Sequence, residues 1–393
     1  MVVRAKIFHW IIGSLICNST FATFHKEHAL KYQMWGERAF SNNSVHSSEV
    51  SLTTLSEGLI GLIHVGTPGQ IFPIQFDTTF DGNMVAPASQ TAVEGYRSNL
   101  STSFVPISEL GMYIMPEISS DGAPSTESLF ADIANETYNI GGQLYKNITF
   151  GTLTDSSRYN DIQALPFGGS SGVIGLDRGS ALMYGIKDQL TEWTCSFDLY
   201  RLWNNGTWTL GESPGRGDIA WTEALGPTNL WLPWWWINVT ALSAGNRTSP
   251  SITWKATVAS THESLVWPQQ LVDWYFEAIP SSMWSSKYET YSYHCNETLP
   301  DFVFGIGNGT FTIPGTYLPY QKNKTGTTCI TLITGDNSTD SAVFGYPFGM
   351  WWAQVGVLIL DYENGRVGFA NKTTPLPTFE TNSLVTCEAP CLL

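Results

Sequence analysis

The feature that most constrains this chain is the recurrence of short apolar runs cut by Gly, Pro and Asn. LIGLIHVG (59–66), FPIQF (72–76), ETYNIGG (136–142), NITFG (147–151), GTWTLG (206–211), WWWINVTAL (234–242), FVFGIG (302–307), GVLILDY (356–362) and RVGFA (366–370) are each too short for a long helix. They are rich in β-branched and aromatic residues, and turn formers separate them, which is the pattern of strands. Helical periodicity is confined to about 181–192 and to PQQLVDWYFEAI at 268–279. The expected fold class is all-β, with a few short helices. At 393 residues, with 36 Gly and 20 Pro to make turns, the chain is long enough for two sizeable cores. Charged and aromatic residues are 13% each, a balance that argues against disorder.

The chain also looks doubled. In each half an apolar strand enters a hydroxyl-rich turn, and a hydrophobic–hydrophobic–Gly segment follows later, as GVIGLD at 172–177 and within LILDYENGRVGFA at 358–370. Net charge is -15, from 19 basic and 34 acidic residues, so the surface repels phosphate backbones and no nucleic acid is expected as a partner.

Several features predict the secretory route. Arg4 and Lys6 precede the apolar run IFHWIIGSLIC, and Thr20-Phe21-Ala22 offers small residues for cleavage, so 1–22 reads as a signal peptide and not a membrane span. Twelve N-x-S/T sequons follow, at Asn42, Asn99, Asn135, Asn147, Asn205, Asn238, Asn246, Asn296, Asn308, Asn323, Asn337 and Asn371. They are expected to be glycosylated surface positions. Five cysteines remain after the leader, Cys195, Cys295, Cys329, Cys387 and Cys391, with no zinc-type spacing, so disulfides are expected and no metal or cofactor. The odd count leaves one thiol free or paired outside the chain.

From residue 50 to about 375 the chain resembles the pepsin-like aspartic peptidases. GLIHVGTPGQIFPIQFDT is similar to that family's first-lobe opening, ADIANETYNIGGQLYKNITFG to the strands behind its flap, and SSGVIGLDRG to the segment crossing under the first catalytic loop. LPDFVFGIGNGTFTIPGTYL and FGYPFGMWWAQVGVLILDYENGRVGFANKT are similar to its closing strands. The resemblance implies two β-barrel-like lobes with a central cleft. It divides the chain into a leader (1–22), a short N-terminal segment or vestigial propeptide (23–49), a first lobe (50–222), a second lobe (223–377) and a tail (378–393). It also implies a Cys295–Cys329 disulfide; Cys387 and Cys391, four apart with a proline between, can pair locally in the tail, which leaves Cys195 buried and free. The alternative is a bond from Cys195 to one tail cysteine.

The family's reaction uses one carboxylate from each lobe around a shared water, one acting as base toward the water and the other as acid toward the scissile carbonyl. Asp77, in IQFDTTFDG, matches the first. The second should fall in KATVASTHESLVWP, where aligning Thr261, Ser264 and Leu265 with the family's motif puts Ser260 on the aspartate position, and sliding by one puts Ala259 there. Neither is an acid. Glu263 is the one residue nearby that could rebuild a carboxylate pair.

Further departures agree with lost catalysis. Thr79 stands where the family has glycine and Phe80 where it has a hydroxyl that holds the acid; the flap segment carries SSDGA at its tip, with Tyr113 too far upstream to serve as the flap tyrosine. Other motifs carry less. Gly168-Gly169-Ser170-Ser171-Gly172 fits a nucleophile elbow, but a strand follows where a helix is needed. Trp231, Trp234, Trp235, Trp236, Trp351 and Trp352 fit strand packing within and between lobes better than a ligand platform. Asp81 and Asp177 read as turn-forming acids.

Three functions follow. The leading one is a secreted, glycosylated aspartic-peptidase-like monomer, extracellular or vacuolar, that binds a peptide, protein or small molecule in its interlobe cleft without normal endopeptidase activity. The second is a fungal-type or other secreted enzyme in which Asp77, alone or with Glu263, does acid/base work on a small molecule. The third is a divergent peptidase that still cleaves.

Overall fold

A computed structural model describes residues 47–55, 58–87, 95–118, 124–153, 170–199, 206–213, 219–226, 232–262, 264–285, 290–372 and 385–386. The leader, Asn42, Asn205, Trp231, Glu263, Cys387, Cys391 and the SSDGA flap tip lie outside them. Among the described residues no helix is long and apolar enough to cross a membrane.

The described residues form three sheets, of 13, eight and five strands. Strands whose side chains are buried on both faces read as unbroken apolar runs, as in Gly172–Gly175 and Gly356–Asp361. Those with one exposed face alternate, as in Gly206–Leu210 and Phe302–Ile306. The helical stretches read from periodicity form Ala181–Ile186, capped by Ser180, and Gln269–Phe276. A third helix, Thr339–Phe344, is one that periodicity missed; Ser338 caps it by accepting from the Ser341 amide at 3.3 Å.

The two halves are built alike. In the first, Gln70–Asp77 pairs antiparallel with Gly58–Val65 and parallel with Gly172–Gly175, which also pairs antiparallel with Asn83–Val85. In the second, Thr253–Ala259 pairs antiparallel with Trp236–Ala244 and parallel with Tyr346–Gly349, which also meets Leu265–Pro268. The segment answering GVIGLD in the second half is thus Tyr346–Gly349, and the sequence reading that put it at 358–370 is corrected. Residues 356–371 instead form a hairpin that returns to the large sheet, Gly356–Asp361 lying against Thr194–Leu199 and Arg366–Asn371 against Ile219–Glu223. The hydrophobic pattern of a crossing strand and of a buried hairpin strand is the same, so sequence alone does not separate them.

The interface between the halves is aromatic. The Trp234-Trp235-Trp236 run, which enters strand Trp236–Ala244, reaches both halves. Trp234 and Trp235 donate their indole N–H groups to first-half carbonyls, Thr79 at 2.7 Å and Leu176 at 2.8 Å, while Trp236 donates to Phe344 of the second half at 2.7 Å. All three are buried, which fits the packing reading of these tryptophans. Cys295 and Cys329 are disulfide-bonded and Cys195 is free and buried, as expected.

Candidate functional site

Strand Gln70–Asp77 is buried over its last four residues and delivers Asp77 to the turn where the two halves meet. Just beyond it, the turn is pinned from below: the Leu176 amide donates to Asp77 O at 2.7 Å and the Gly175 amide to Gly82 O at 2.7 Å. Gly175 is required here, because a Cβ would sit 2.4 Å from the Phe80 carbonyl oxygen.

Across the junction the two turns exchange hydrogen bonds reciprocally. Thr78 Oγ1 donates to Val258 O (2.8 Å) and accepts from the Ser260 amide (2.9 Å). Ser260 Oγ donates to Phe76 O (2.7 Å) and accepts from the Thr78 amide (2.9 Å). Ser260 therefore plays the part of Thr78, and the residue matching Asp77 is Ala259. Strand register says the same twice. Asp77 lies opposite Gly175 and Ala259 opposite Gly349; six residues on, Asn83 pairs with Ile174 and Leu265 with Phe348, each one before that glycine. The register that put Ser260 opposite Asp77 is off by one residue, because hydroxyl residues fill 260, 261 and 264 and the side-chain pattern does not fix the frame.

Asp77 is 5% exposed, and among the described residues both donors that reach it come from Thr79, whose amide (2.8 Å) and hydroxyl (2.7 Å) bond the same oxygen, Oδ1. Burial pushes the Asp77 carboxyl above the ordinary carboxylate range, and the two Thr79 bonds oppose that without cancelling it. A protonated Asp77 with Oδ1 so occupied carries its proton on Oδ2. Thr79 thus supplies the hydroxyl contact that Phe80 lacks. Phe80 turns instead into a small core with Met84, Ala86, Ala131, Leu153 and Val173.

At the position matching Asp77 the opposite turn presents a methyl group. Ala259 is 2% exposed, and the Ser260 and Thr78 hydroxyls are spent on each other's amides and on the Phe76 and Val258 carbonyls. His262 closes the turn through its amide to Ala259 O at 3.2 Å; its Nδ1 is buried without a hydrogen-bond partner among the described residues, and burial lowers its pKa, favouring the neutral imidazole. Glu263, the proposed substitute acid, lies outside the described residues. Among those residues no group of His, Cys, Asp and Glu has the arrangement of a metal site.

The other sequence candidates are placed as follows. Ser170 is buried and donates to Gly172 O at 2.7 Å, with strand Gly172–Gly175 after it, so it forms no nucleophile elbow. The flap arms Val105–Ile118 and Pro124–Ile140 pair up to Ile118–Pro124, and Tyr113 pairs with Leu129 well below that end. Of the sequon asparagines, Asn99, Asn147, Asn238, Asn246, Asn296, Asn308, Asn337 and Asn371 are exposed, whereas Asn135 and Asn323 are half-buried. What sequence reading did not supply was the bond from Trp234, read there only as packing, to Thr79 O, which ties the Asp77 turn to the second half. Adjacent tryptophans gave no sign of which carbonyls they would reach.

The family model for eukaryotic aspartyl proteases matches residues 59–372. The chain is 25% identical to endothiapepsin of Cryphonectria parasitica over 331 residues, covering 77% of this chain and 75% of that protein. It is 25% identical to penicillopepsin-1 of Penicillium janthinellum over 35% of this chain and 40% of that protein. Podosporapepsin of Podospora anserina is 31% identical over 29% of this chain and 27% of its own length.

Proposed function

Because the chain belongs to the eukaryotic aspartyl protease family, we propose that it retains the family's cleft as a binding site while lacking the second carboxylate of the endopeptidase reaction. One observation carries this reading: the residue matching Asp77 across the junction is Ala259, a buried methyl. Peptide hydrolysis by this route needs a base to take a proton from water while an acid protonates the carbonyl, and one carboxyl group cannot do both at once. Asp77 alone, in its acid form, can donate from Oδ2 to a carbonyl or hydroxyl oxygen of a ligand. The ligand class is an extended peptide, which the flap hairpin would cover. The exposed sequons, the disulfide and the apolar N-terminal run support a glycoprotein of the secretory route, released outside the cell or to a vacuole.

The test is incubation of the purified protein with denatured haemoglobin or casein between about pH 2 and 6, where a shared-proton carboxylate pair works. No cleavage is expected, and pepstatin, which reads an intact pair, should not bind tightly. Cleavage that Asp77→Asn abolishes would overturn the reading.

A further inference from the structure

The sequence contains three Asn-Gly pairs, at 205–206, 308–309 and 364–365. In the first two a threonine follows, so each asparagine is also a sequon, whereas Asn364-Gly365 is followed by Arg366 and carries no such signal. An Asn-Gly pair is chemically weak, because glycine has no side chain to shield its backbone nitrogen from the preceding side-chain amide. Asn364 is exposed, in the turn between strands Gly356–Asp361 and Arg366–Asn371. Gly365 has a φ of 61°, the left-handed conformation that glycine adopts freely, and among the described residues no acceptor holds its amide. Asn364 is tied to Asp361, its amide donating to Oδ1 at 3.0 Å and its Nδ2 to Oδ2 at 2.8 Å.

We propose that Asn364 is a modification site, at which the folded protein deamidates to aspartate and isoaspartate and so loosens the 361–366 turn from the first half. The Gly365 backbone nitrogen bonds to Asn364 Cγ as the Cγ–Nδ2 bond breaks, and Nδ2 leaves as ammonia, taking the proton that the glycine nitrogen gives up. The product is a cyclic imide. Water then opens it at either carbonyl: breaking the Cγ–N bond gives aspartate, and breaking the bond to the backbone carbonyl gives isoaspartate, whose main chain runs through Cβ and Cγ. The net change is amide plus water to acid plus ammonia, with no electron transferred.

The position of the turn gives this small change its reach. Asp361 Oδ2 accepts from both Asn364 Nδ2 and Arg366 Nε, the latter at 2.7 Å. Either product removes the first donor and sets a new carboxylate beside Asp361, so a hydrogen bond is exchanged for a repulsion. The same turn meets its surroundings at three points. Gly365 O accepts from the Ala224 amide at 3.0 Å, and Glu363 pairs with Lys187 of the first half at 3.2 Å. A Cβ on Gly365 would lie 3.4 Å from Arg178 Nη2, and Arg178 Nη1 in turn donates to Leu225 O at 3.1 Å. The added main-chain carbon of isoaspartate moves Gly365 relative to Asp361 and so draws its carbonyl away from Ala224. None of this depends on whether the cleft cleaves peptides or the sequons carry sugar.

The test holds the native protein in mildly alkaline buffer and follows residue 364 by peptide mapping with mass spectrometry, beside Asn364→Gln treated alike. Wild type should accumulate aspartate and isoaspartate at 364, and faster than in mildly acidic buffer. Its urea midpoint should fall as the modified fraction grows, and the Ala224 amide should exchange hydrogen faster in that fraction. Asn364→Gln should keep its starting midpoint throughout. Should that variant not fold, wild type kept in the acidic buffer serves as the unmodified control. Asn364→Asp, which sets one product directly, should begin with a midpoint below that of fresh wild type. A residue 364 that stays asparagine in the native protein would overturn the inference, as would modified protein whose midpoint and Ala224 exchange match those of fresh protein.

Discussion

Ser260→Ala separates the two placements of Ser260 by stability alone. In the reciprocal arrangement Ser260 Oγ satisfies two buried groups, the Phe76 carbonyl at 2.7 Å and the Thr78 amide at 2.9 Å. Alanine leaves both unpaired at a position that is 2% exposed. A buried polar group stripped of its partner costs about 1–3 kcal/mol, so the two together cost about 2–6 kcal/mol. Thr78→Val should cost a comparable amount, since Thr78 Oγ1 bonds Val258 O and the Ser260 amide. The four bonds form one closed exchange, so the double variant should be less destabilised than the sum of the singles, with a coupling of about 0.5–3 kcal/mol. Ser260→Thr, which copies the residue at 78, should be tolerated. Urea unfolding read by intrinsic fluorescence gives all four values. A Ser260→Ala change within about 0.5 kcal/mol, the range of an ordinary surface substitution, would refute the reciprocal exchange and return Ser260 to the open cleft opposite Asp77.

Three further outcomes are expected. Replacing Cys295 and Cys329 by serine opens a bridge with a sequence separation of 34 and should destabilise the protein by about 4 kcal/mol in the loop-entropy model, read from the urea midpoint under non-reducing conditions. Cys195 is buried and its thiol is pushed up to about 12, so a thiol reagent at mildly alkaline pH should modify it only after unfolding; rapid labelling of the native protein would contradict its placement. Ala259→Asp with Thr79→Gly restores an acid at the matched position, yet should give little turnover, because Phe80 and His262 remain and catalytic groups about an ångström out of place lose rate steeply; brisk hydrolysis by this variant would show that the cleft lacks only the one carboxylate.

Much of the fold was legible because strand periodicity and turn residues say the same thing in most segments, as in FVFGIG and GTWTLG. The disulfide was also foreseen, from the family resemblance. The site was legible only on one side. Asp77 is marked by the buried strand that carries it, but the opposite turn, ASTHES, offers small hydroxyl residues in successive places, and only the cross-junction hydrogen bonds choose among them. The second-half crossing strand was misplaced for a similar reason: YPFG is four residues long and less apolar than the LILDY run that resembles it more. Asp177 looked like a turn acid, and in its bond to the Gly179 amide it is one. The neighbouring Arg178 amide donates to Pro233 O, more than 50 residues away, and no local pattern encodes that contact.

On the proposed reading Asp77 has no carboxylate partner at the matched position, where Ala259 stands. The most direct measurement is mass-spectrometric detection of new peptide ends after prolonged incubation of the wild-type protein with a denatured protein substrate in acid, alongside Asp77→Asn prepared in parallel. The two preparations should give the same peptide ends as a protein-free control. Peptide ends made by the wild type and missing with Asp77→Asn would contradict it.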